Sequence, residues 1–249
     1  MTLPLPWIGA DEPLPPTEQA WSEDSPAPGL LAAGGCLTVP RLRQAYAQGC
    51  FPWYSQGQPI LWWSPQPRMV LPVAQFRLHR SLKKNLLRFR TQPGCEVRVD
   101  SAFGRVIRAC AQTPRPGQSG SWIMPEMIEA YEALHAAGLA HSVETWVDGQ
   151  LLGGLYCVAL GRALFGESMF AHATDASKIA LAALVCIARR QGVELIDCQQ
   201  NTHHLASLGA HEIQRGRFLA HVRQASSQPA IAWGFSCLYW DELLPPIAA

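Results

Sequence analysis

Between residues 141 and 198 the chain carries three strand patterns in a row, then one long apolar helix, then a further strand, and few folds accept that order. Residues 141–147 alternate polar and apolar side chains, Asp148-Gly149 is a hairpin turn pair, and residues 151–160 form the returning strand. Gly161-Arg162 turns again into a strand over 163–170. Asp175 is placed to cap a helix over 176–190 that Gly192 ends, and residues 193–198 are short and largely apolar. A meander, a helix packed on it and a further strand predict an α+β layer with a mainly antiparallel sheet and packed helices.

The preceding segments are less regular. Residues 1–29 are rich in proline and acids and predict an extended arm. A short helix follows, with Thr38 as its cap, Pro40 in its first turn, Gly49 past its end, and Leu42, Ala45 and Tyr46 on its inner face. Residues 50–54 read as an aromatic loop. Pro65 and Pro67 consign the Trp62-Trp63 segment to an edge or a loop. Over 79–89 the pattern is helical: Leu78, Leu82, Leu86 and Phe89 make one apolar stripe, and Arg77, Arg80, Lys84 and Arg88 line another face. A second helix over 101–110 exposes Arg105 and Arg108, residues 113–121 form a loop, and 125–137 form a helix closed by Gly138. After Leu219 the pattern weakens, which predicts a peripheral tail.

Composition narrows the class. Hydrophobic residues make up 48% of 249 and charged residues 16%, a balance that supports a packed core and argues against global disorder. No apolar run approaches the ~20 residues that span a bilayer, and the first residues lack a basic region and long apolar core, so a cytoplasmic protein away from membranes is expected. Eight scattered cysteines without a CxxC pair predict reduced, mostly buried thiols. Cys198, His203, His204 and His211 match no zinc spacing, so no metal and no cofactor are expected. Net charge is only +1, but ten of the twenty Lys and Arg residues lie between Arg68 and Arg108 with two acids, whereas residues 1–40 hold five acids and no base. That asymmetry steers a polyanion to one face.

Several short segments, in this order, resemble the leucyl/phenylalanyl-tRNA–protein transferases. They are Gly29-Leu-Leu-Ala-Ala-Gly-Gly35, Phe51-Pro-Trp-Tyr54, Trp62-Trp-Ser-Pro65 with Pro67-Arg68, Ser121-Trp-Ile123, Ala140-His-Ser-Val-Glu144, Gly153-Gly-Leu-Tyr156, Gly166-Glu-Ser-Met-Phe170, Leu195-Ile-Asp-Cys-Gln199 and Ser207-Leu-Gly-Ala210. The resemblance implies a small N-terminal domain over 1–63 and, over 64–249, a catalytic domain of the acetyltransferase (GNAT) type with a basic helical insertion near 77–110. It further implies transfer of Leu, Phe or Met from aminoacyl-tRNA to a protein or peptide beginning with Arg or Lys, which marks that protein for degradation by the N-end rule; a monomer is expected.

An aminoacyl ester is already activated, so such an enzyme mainly aligns a neutral amine with a carbonyl. Gln199 resembles the family residue held to take the amine's proton; as a neutral amide it is a poor base, but its oxygen accepts a hydrogen bond and aims the nitrogen lone pair. Strand alternation puts Asp197 on the same face as its support, the competing reading being that both satisfy buried backbone groups. Glu167 is expected to hold the acceptor's ammonium or cationic side chain, against a structural ion pair. Glu144 has the same chemistry and an equal case for lying on a solvated strand face.

By motif position Leu155, Leu164, Met169 and Ile196, with Ala171 nearby, resemble the pocket for the aminoacyl side chain, against ordinary core. The chain departs from the family in carrying Leu164-Phe165 where Phe-Phe is common, Cys157 where Gly is usual and Asp175 where Asn is usual. Trp53 and Trp122 resemble residues that contact the 3′-terminal adenosine, where stacking is worth ~1–3 kcal/mol. The face carrying Arg77, Arg80, Lys83, Lys84 and Arg88 is then suited to acceptor-stem phosphates. Two rivals stand beside this reading. One is an acyl-CoA acetyltransferase, whose pyrophosphate-cradling Q/R-x-x-G-x-G/A loop is not found before the 176–190 helix; the other is a non-catalytic RNA-binding module.

Overall fold

The computed structural model describes residues 4–113 and 123–245. The first part of the chain builds a small four-stranded sheet from β1 (Trp7–Ile8), β2 (Leu30–Gly34), β3 (Phe51–Pro52) and β4 (Leu61–Trp63), in the order β1-β2-β4-β3. The helix α1 (Val39–Ala47) lies between β2 and β3 in sequence and buries Leu42, Ala45 and Tyr46, as its spacing predicts. β4 is an inner strand of this sheet, not the edge or loop its prolines implied: Pro65 and Pro67 fall in the connection after it and leave its ladder intact.

A seven-stranded sheet follows. It uses β5 (Arg68–Pro72), β6 (Cys95–Val99), β7 (Ala140–Val147), β8 (Gln150–Leu160), β9 (Ala163–Ala171), β10 (Leu195–Gln199) and β11 (His211–Ile213), in the order β11-β5-β10-β9-β8-β7-β6. Every neighbouring pair is antiparallel except β9–β10. The meander β7-β8-β9 and its two turns stand where local pattern puts them. β5 and β6 have no counterpart in the sequence reading, and β6 makes the 77–110 stretch part of the sheet as well as a bearer of helices.

Helices cover both faces. On one lie α1, α3 (Phe103–Gln112), α4 (Pro125–Ala136) and α7 (Arg215–Ser226), packed on Val70, Tyr156, Val158, Phe165 and Phe170. On the other lie α2 (Arg80–Phe89) and α5 (Ala176–Arg190), packed on Met69, Leu71, Leu155, Cys157, Leu164 and Ile196. With both faces covered, β8 is buried from Gly153 to Leu160, so apolar residues fill it continuously. The start of α5 comes so close that a Cβ at Gly153 would stand 2.5 Å from Ala176 Cβ, and the Thr145 hydroxyl donates to Ala176 O across that contact (2.8 Å).

α5 is buried all round from Ile179 to Ala188, which explains its uniformly apolar sequence. Its outer side is closed by the chain end, where Ile231, Trp240 and Leu244 are buried. The tail is therefore part of the core and not peripheral. Asp175 precedes α5 with a left-handed backbone (φ 62°) and makes no capping bond; its carboxylate accepts from Asn85 Nδ2 (2.6 Å) and Lys178 Nζ (2.8 Å) instead. Among the described residues no helix is long and apolar enough to cross a membrane.

Candidate active site

The one parallel pair in the sheet is short. β9 and β10 are in register only at Leu164–Ile196 and Phe165–Asp197, and beyond these the strands part. Where they part, β10 bulges: Asp197 faces Val70 and Gln199 faces Met69, so two steps of β10 match one of β5. Gln199 takes a left-handed backbone (φ 62°), a conformation that costs a non-glycine residue on the order of 1 kcal/mol and persists only where its surroundings enforce it. The gap opens into a cavity of about 580 Å³. Its apolar wall includes Leu155, Met169, Ile196, Leu181 and Leu184 of α5, and Leu205 of the short helix α6 (His203–Ser207), with Phe51 and Trp53 at the small-sheet side.

What enforces the bulge is a buried ion pair. Arg68 donates from Nε to Asp197 Oδ1 (2.7 Å) and from Nη2 to Oδ2 (2.6 Å), with side-chain exposures of 1% and 2%. Asp197 Oδ1 also accepts the Gln199 backbone N–H (2.9 Å). The guanidinium is itself held between the rings of Phe51 (4.8 Å) and Phe218 (4.5 Å) and donates to Gly49 O (3.3 Å). Asp197 is an anchor for the backbone of Gln199. Simple alternation does not place the two residues together, because the bulge breaks it between them; the hydrogen bond does.

The Gln199 side chain donates from Nε2 to Glu167 Oε1 (2.9 Å), and its Oε1 accepts nothing from the described residues. Glu167 stands on β9 with its accessible edge toward the cavity. The hydroxyls of Tyr46 (2.8 Å, to Oε1) and Tyr131 (3.1 Å, to Oε2) also donate to it, and the two hydroxyls are in hydrogen-bond contact with each other. Burial pushes the Glu167 carboxyl up to about 7, helped by Asp197 and opposed by the donors Tyr46, Tyr131 and Gln199. Burial and then Glu167 hold the Tyr46 and Tyr131 hydroxyls well above their ordinary range. Cys198 lines the same cavity, but burial keeps its thiol far above the usual range and so neutral.

The structure brings Gln199, Asp197, Glu167, Trp53, Leu155, Met169 and Ile196 to this cavity. Three other candidates do not line it. Leu164 is buried in the α5-side core, at the register position where β9 and β10 still pair, so its departure from the family pattern is a matter of core packing. Ala171 is exposed at the end of β9. Glu144 is fully buried away from the cavity, where it accepts from the Ser101 hydroxyl, Ala102 N (2.8 Å), the Ser142 hydroxyl (2.8 Å) and Trp146 Nε1 (2.8 Å). It lies on no solvated face, and its acceptor capacity is taken up by the protein. Trp122 lies outside the described residues.

Tyr131, Leu181 and Leu184 join the site without a sequence pattern that singles them out for it, while Tyr46 and Arg68 come from a helix face and a family segment that carried no site role in the sequence. A tyrosine on an apolar helix face needs a polar partner, and that is the available signal for Tyr46 and Tyr131. Arg77, Arg80, Lys83, Lys84 and Arg88 are all exposed, and none pairs with an acid among the described residues. Their helix is tied to α6, a wall of the cavity, through Arg77 N to Leu208 O (2.8 Å) and His79 Nε2 to Ser207 O (2.8 Å).

Comparison with known proteins identifies the family. Residues 70–223 match the family described as leucyl/phenylalanyl-tRNA protein transferase, and residues 35–66 match that family's N-terminal domain. A leucyl/phenylalanyl-tRNA–protein transferase of Albidiferax ferrireducens is 62% identical over 243 residues, covering 98% of this chain and 96% of that one. Its counterpart in a Polaromonas species is 60% identical over 241 residues, covering 97% and 94%. A crystal structure of FemX superposes with a TM-score of 0.44 at 13% identity, over 70% of this chain and 66% of that one, too distant to inform the chemistry. With both domain matches in order and identity near 60% over almost its whole length, the chain belongs to the leucyl/phenylalanyl-tRNA–protein transferase family.

Proposed function

We propose that the gap between β9 and β10 is where this enzyme performs its family's reaction, transfer of Leu or Phe from aminoacyl-tRNA to the N-terminal Arg or Lys of a protein. The observation that carries this reading is Gln199 Oε1, which accepts nothing from the described residues, beside Glu167, both opening into a cavity whose wall is mostly apolar. The aminoacyl side chain occupies the wall of Leu155, Met169, Leu181, Leu184 and Ile196, which suits Leu, Phe and Met. The terminal adenosine stacks on Trp53, with Trp122 as its expected partner, and Glu167 holds the acceptor's ammonium. Gln199 Oε1 accepts an N–H of the amine and turns its lone pair toward the ester carbonyl.

The exposed face with Arg77, Arg80, Lys83, Lys84 and Arg88 binds acceptor-stem phosphates. Reversing Lys84 and Arg88 to Glu should lower the slope of log affinity against log salt by about 2, one unit for each phosphate no longer neutralised; an unchanged slope removes this helix from the interface. The domain reading follows the sheets: the small sheet lies within 1–63 and the large one within 64–249, the latter of acetyltransferase type, a reading supported by one parallel pair parting inside an antiparallel sheet. The enzyme works as a monomer in the cytoplasm without a cofactor, marking acceptors for N-end-rule degradation. The test is transfer of labelled leucine from charged tRNA to an Arg-start peptide. Labelled peptide is expected; transfer only from an acyl-CoA, or tRNA binding without transfer, overturns the reading.

A further inference from the structure

Three oxygen-bearing groups meet in pairs behind the cavity: Tyr46 with Tyr131, Tyr46 with Glu167, and Tyr131 with Glu167. Three O···O hydrogen bonds need three protons. The two phenols carry one each, and an ionised carboxylate carries none. With Glu167 ionised, one of the three must therefore set lone pair against lone pair. With Glu167 protonated the ring closes: its O–H donates to Tyr131, Tyr131 donates to Tyr46, and Tyr46 donates back to Oε1, while Gln199 Nε2 keeps its bond to the same oxygen.

We propose that Glu167 takes the proton of the acceptor's α-ammonium, the ring with Tyr46 and Tyr131 being the device that makes it a proton acceptor in a site whose other candidate, Gln199, is a neutral amide. The proposal rests on the reading of the cavity as the transfer site. The groups facing Glu167 are Tyr46 from α1, Tyr131 from α4, Cys157 from β8, and Asp197 and Gln199 from β10, with Tyr156 of β8 against Tyr131; no Lys or Arg is bonded to Glu167 among the described residues, and Arg68 is held by Asp197. Burial and the nearby Asp197 act in the same direction as the missing proton.

One N–H proton of the ammonium passes to a Glu167 oxygen, and the freed nitrogen lone pair forms the new bond to the ester carbonyl carbon. The ester C–O bond then breaks, its electron pair leaves on the ribose oxygen, and that oxygen takes a second N–H proton. Products are the amide and the ribose hydroxyl, and Glu167 then releases its proton to solvent.

The test compares wild type with Glu167→Gln and Gln199→Ala, using charged Leu-tRNA and two acceptors: an ordinary Arg-start peptide and its α-hydrazino analogue, whose terminal nitrogen is already neutral at pH 7. Glutamine mimics protonated Glu167, its amide N–H replacing the acid O–H toward Tyr131, so the ring and the fold persist. Glu167→Gln is expected to lower kcat with the amino peptide by about 10²-fold and to recover most of that loss with the hydrazino peptide. An equal loss with both acceptors, or a loss confined to the acceptor KM, overturns the proposal and leaves Glu167 a binding residue. Should Glu167→Gln fold poorly, Tyr46→Phe with Tyr131→Phe removes the ring, and the same contrast between acceptors is expected. Full activity of both Glu167→Gln and Gln199→Ala instead sinks the underlying reading of the cavity, whereas an impaired Gln199→Ala beside an unimpaired Glu167→Gln sinks the proton assignment alone.

Discussion

Glu144 and Glu167 stand on strands of one sheet, and their surroundings put them to opposite uses. Glu144 meets two serine hydroxyls, a backbone N–H and an indole N–H, four donors that satisfy a carboxylate completely. Glu167 meets two phenols that also touch each other, one amide, and an opening where β9 and β10 separate. The first is locked into the fold. The second is left wanting a proton or a cation. Burial alone does not distinguish them; the balance of donor protons against acceptor oxygens does.

That contrast can be broken most simply at Glu144. Glu144→Ala leaves four buried donors without their acceptor and should cost roughly 3–5 kcal/mol of stability in denaturant unfolding. A loss under about 1 kcal/mol would mean water or another group serves them equally well, and the comparison fails.

The next effect is on pH. Because the folded chain holds the Glu167 proton up to about 7, above the ordinary glutamate value of 4.5, the folded state binds more protons across that interval. Stability contributed by that proton is fully present below 4.5 and is lost as pH rises through about 7, a change on the order of 3 kcal/mol. Glu167→Gln should flatten this part of the stability-versus-pH curve. A curve that keeps its slope in the variant assigns the titration elsewhere.

A smaller and sharper comparison removes one donor from each carboxylate. Ser142→Ala should cost about 1 kcal/mol of stability and leave transfer unchanged, whereas Tyr131→Phe should cost a similar amount and slow transfer about tenfold. Equal effects on transfer would erase the distinction between the two sites.

The meander, its turns, α5 and most of the cavity's polar group are legible in the sequence, because those depend on local period and turn chemistry. Glu144 and Glu167 cannot be separated that way: alternation names a strand face but not whether a helix covers it. β5 escapes local pattern too, since it opens on Arg68 and closes on Pro72 although it lies between β10 and β11. The inward role of Leu181 and Leu184 is hidden because α5 is apolar on every side, leaving no face to single out. Motif position assigns Leu164 and Ala171 to the pocket, and the parting of β9 from β10 just beyond Phe165 decides otherwise. The tail has no periodicity, yet Trp233 stacks on His141 (4.0 Å) and Trp240 packs against Phe89 (6.5 Å), long-range packing that local pattern does not encode.

The proposed transfer step depends on Gln199, held by Asp197 and Arg68, to align the amine with the ester at this cavity. Its most direct test is the single-turnover rate of leucine transfer by Gln199→Ala, measured with saturating charged tRNA and peptide beside tRNA affinity. A fall of about 10²-fold in rate is expected, with tRNA affinity unchanged. An undiminished rate at saturation would contradict it.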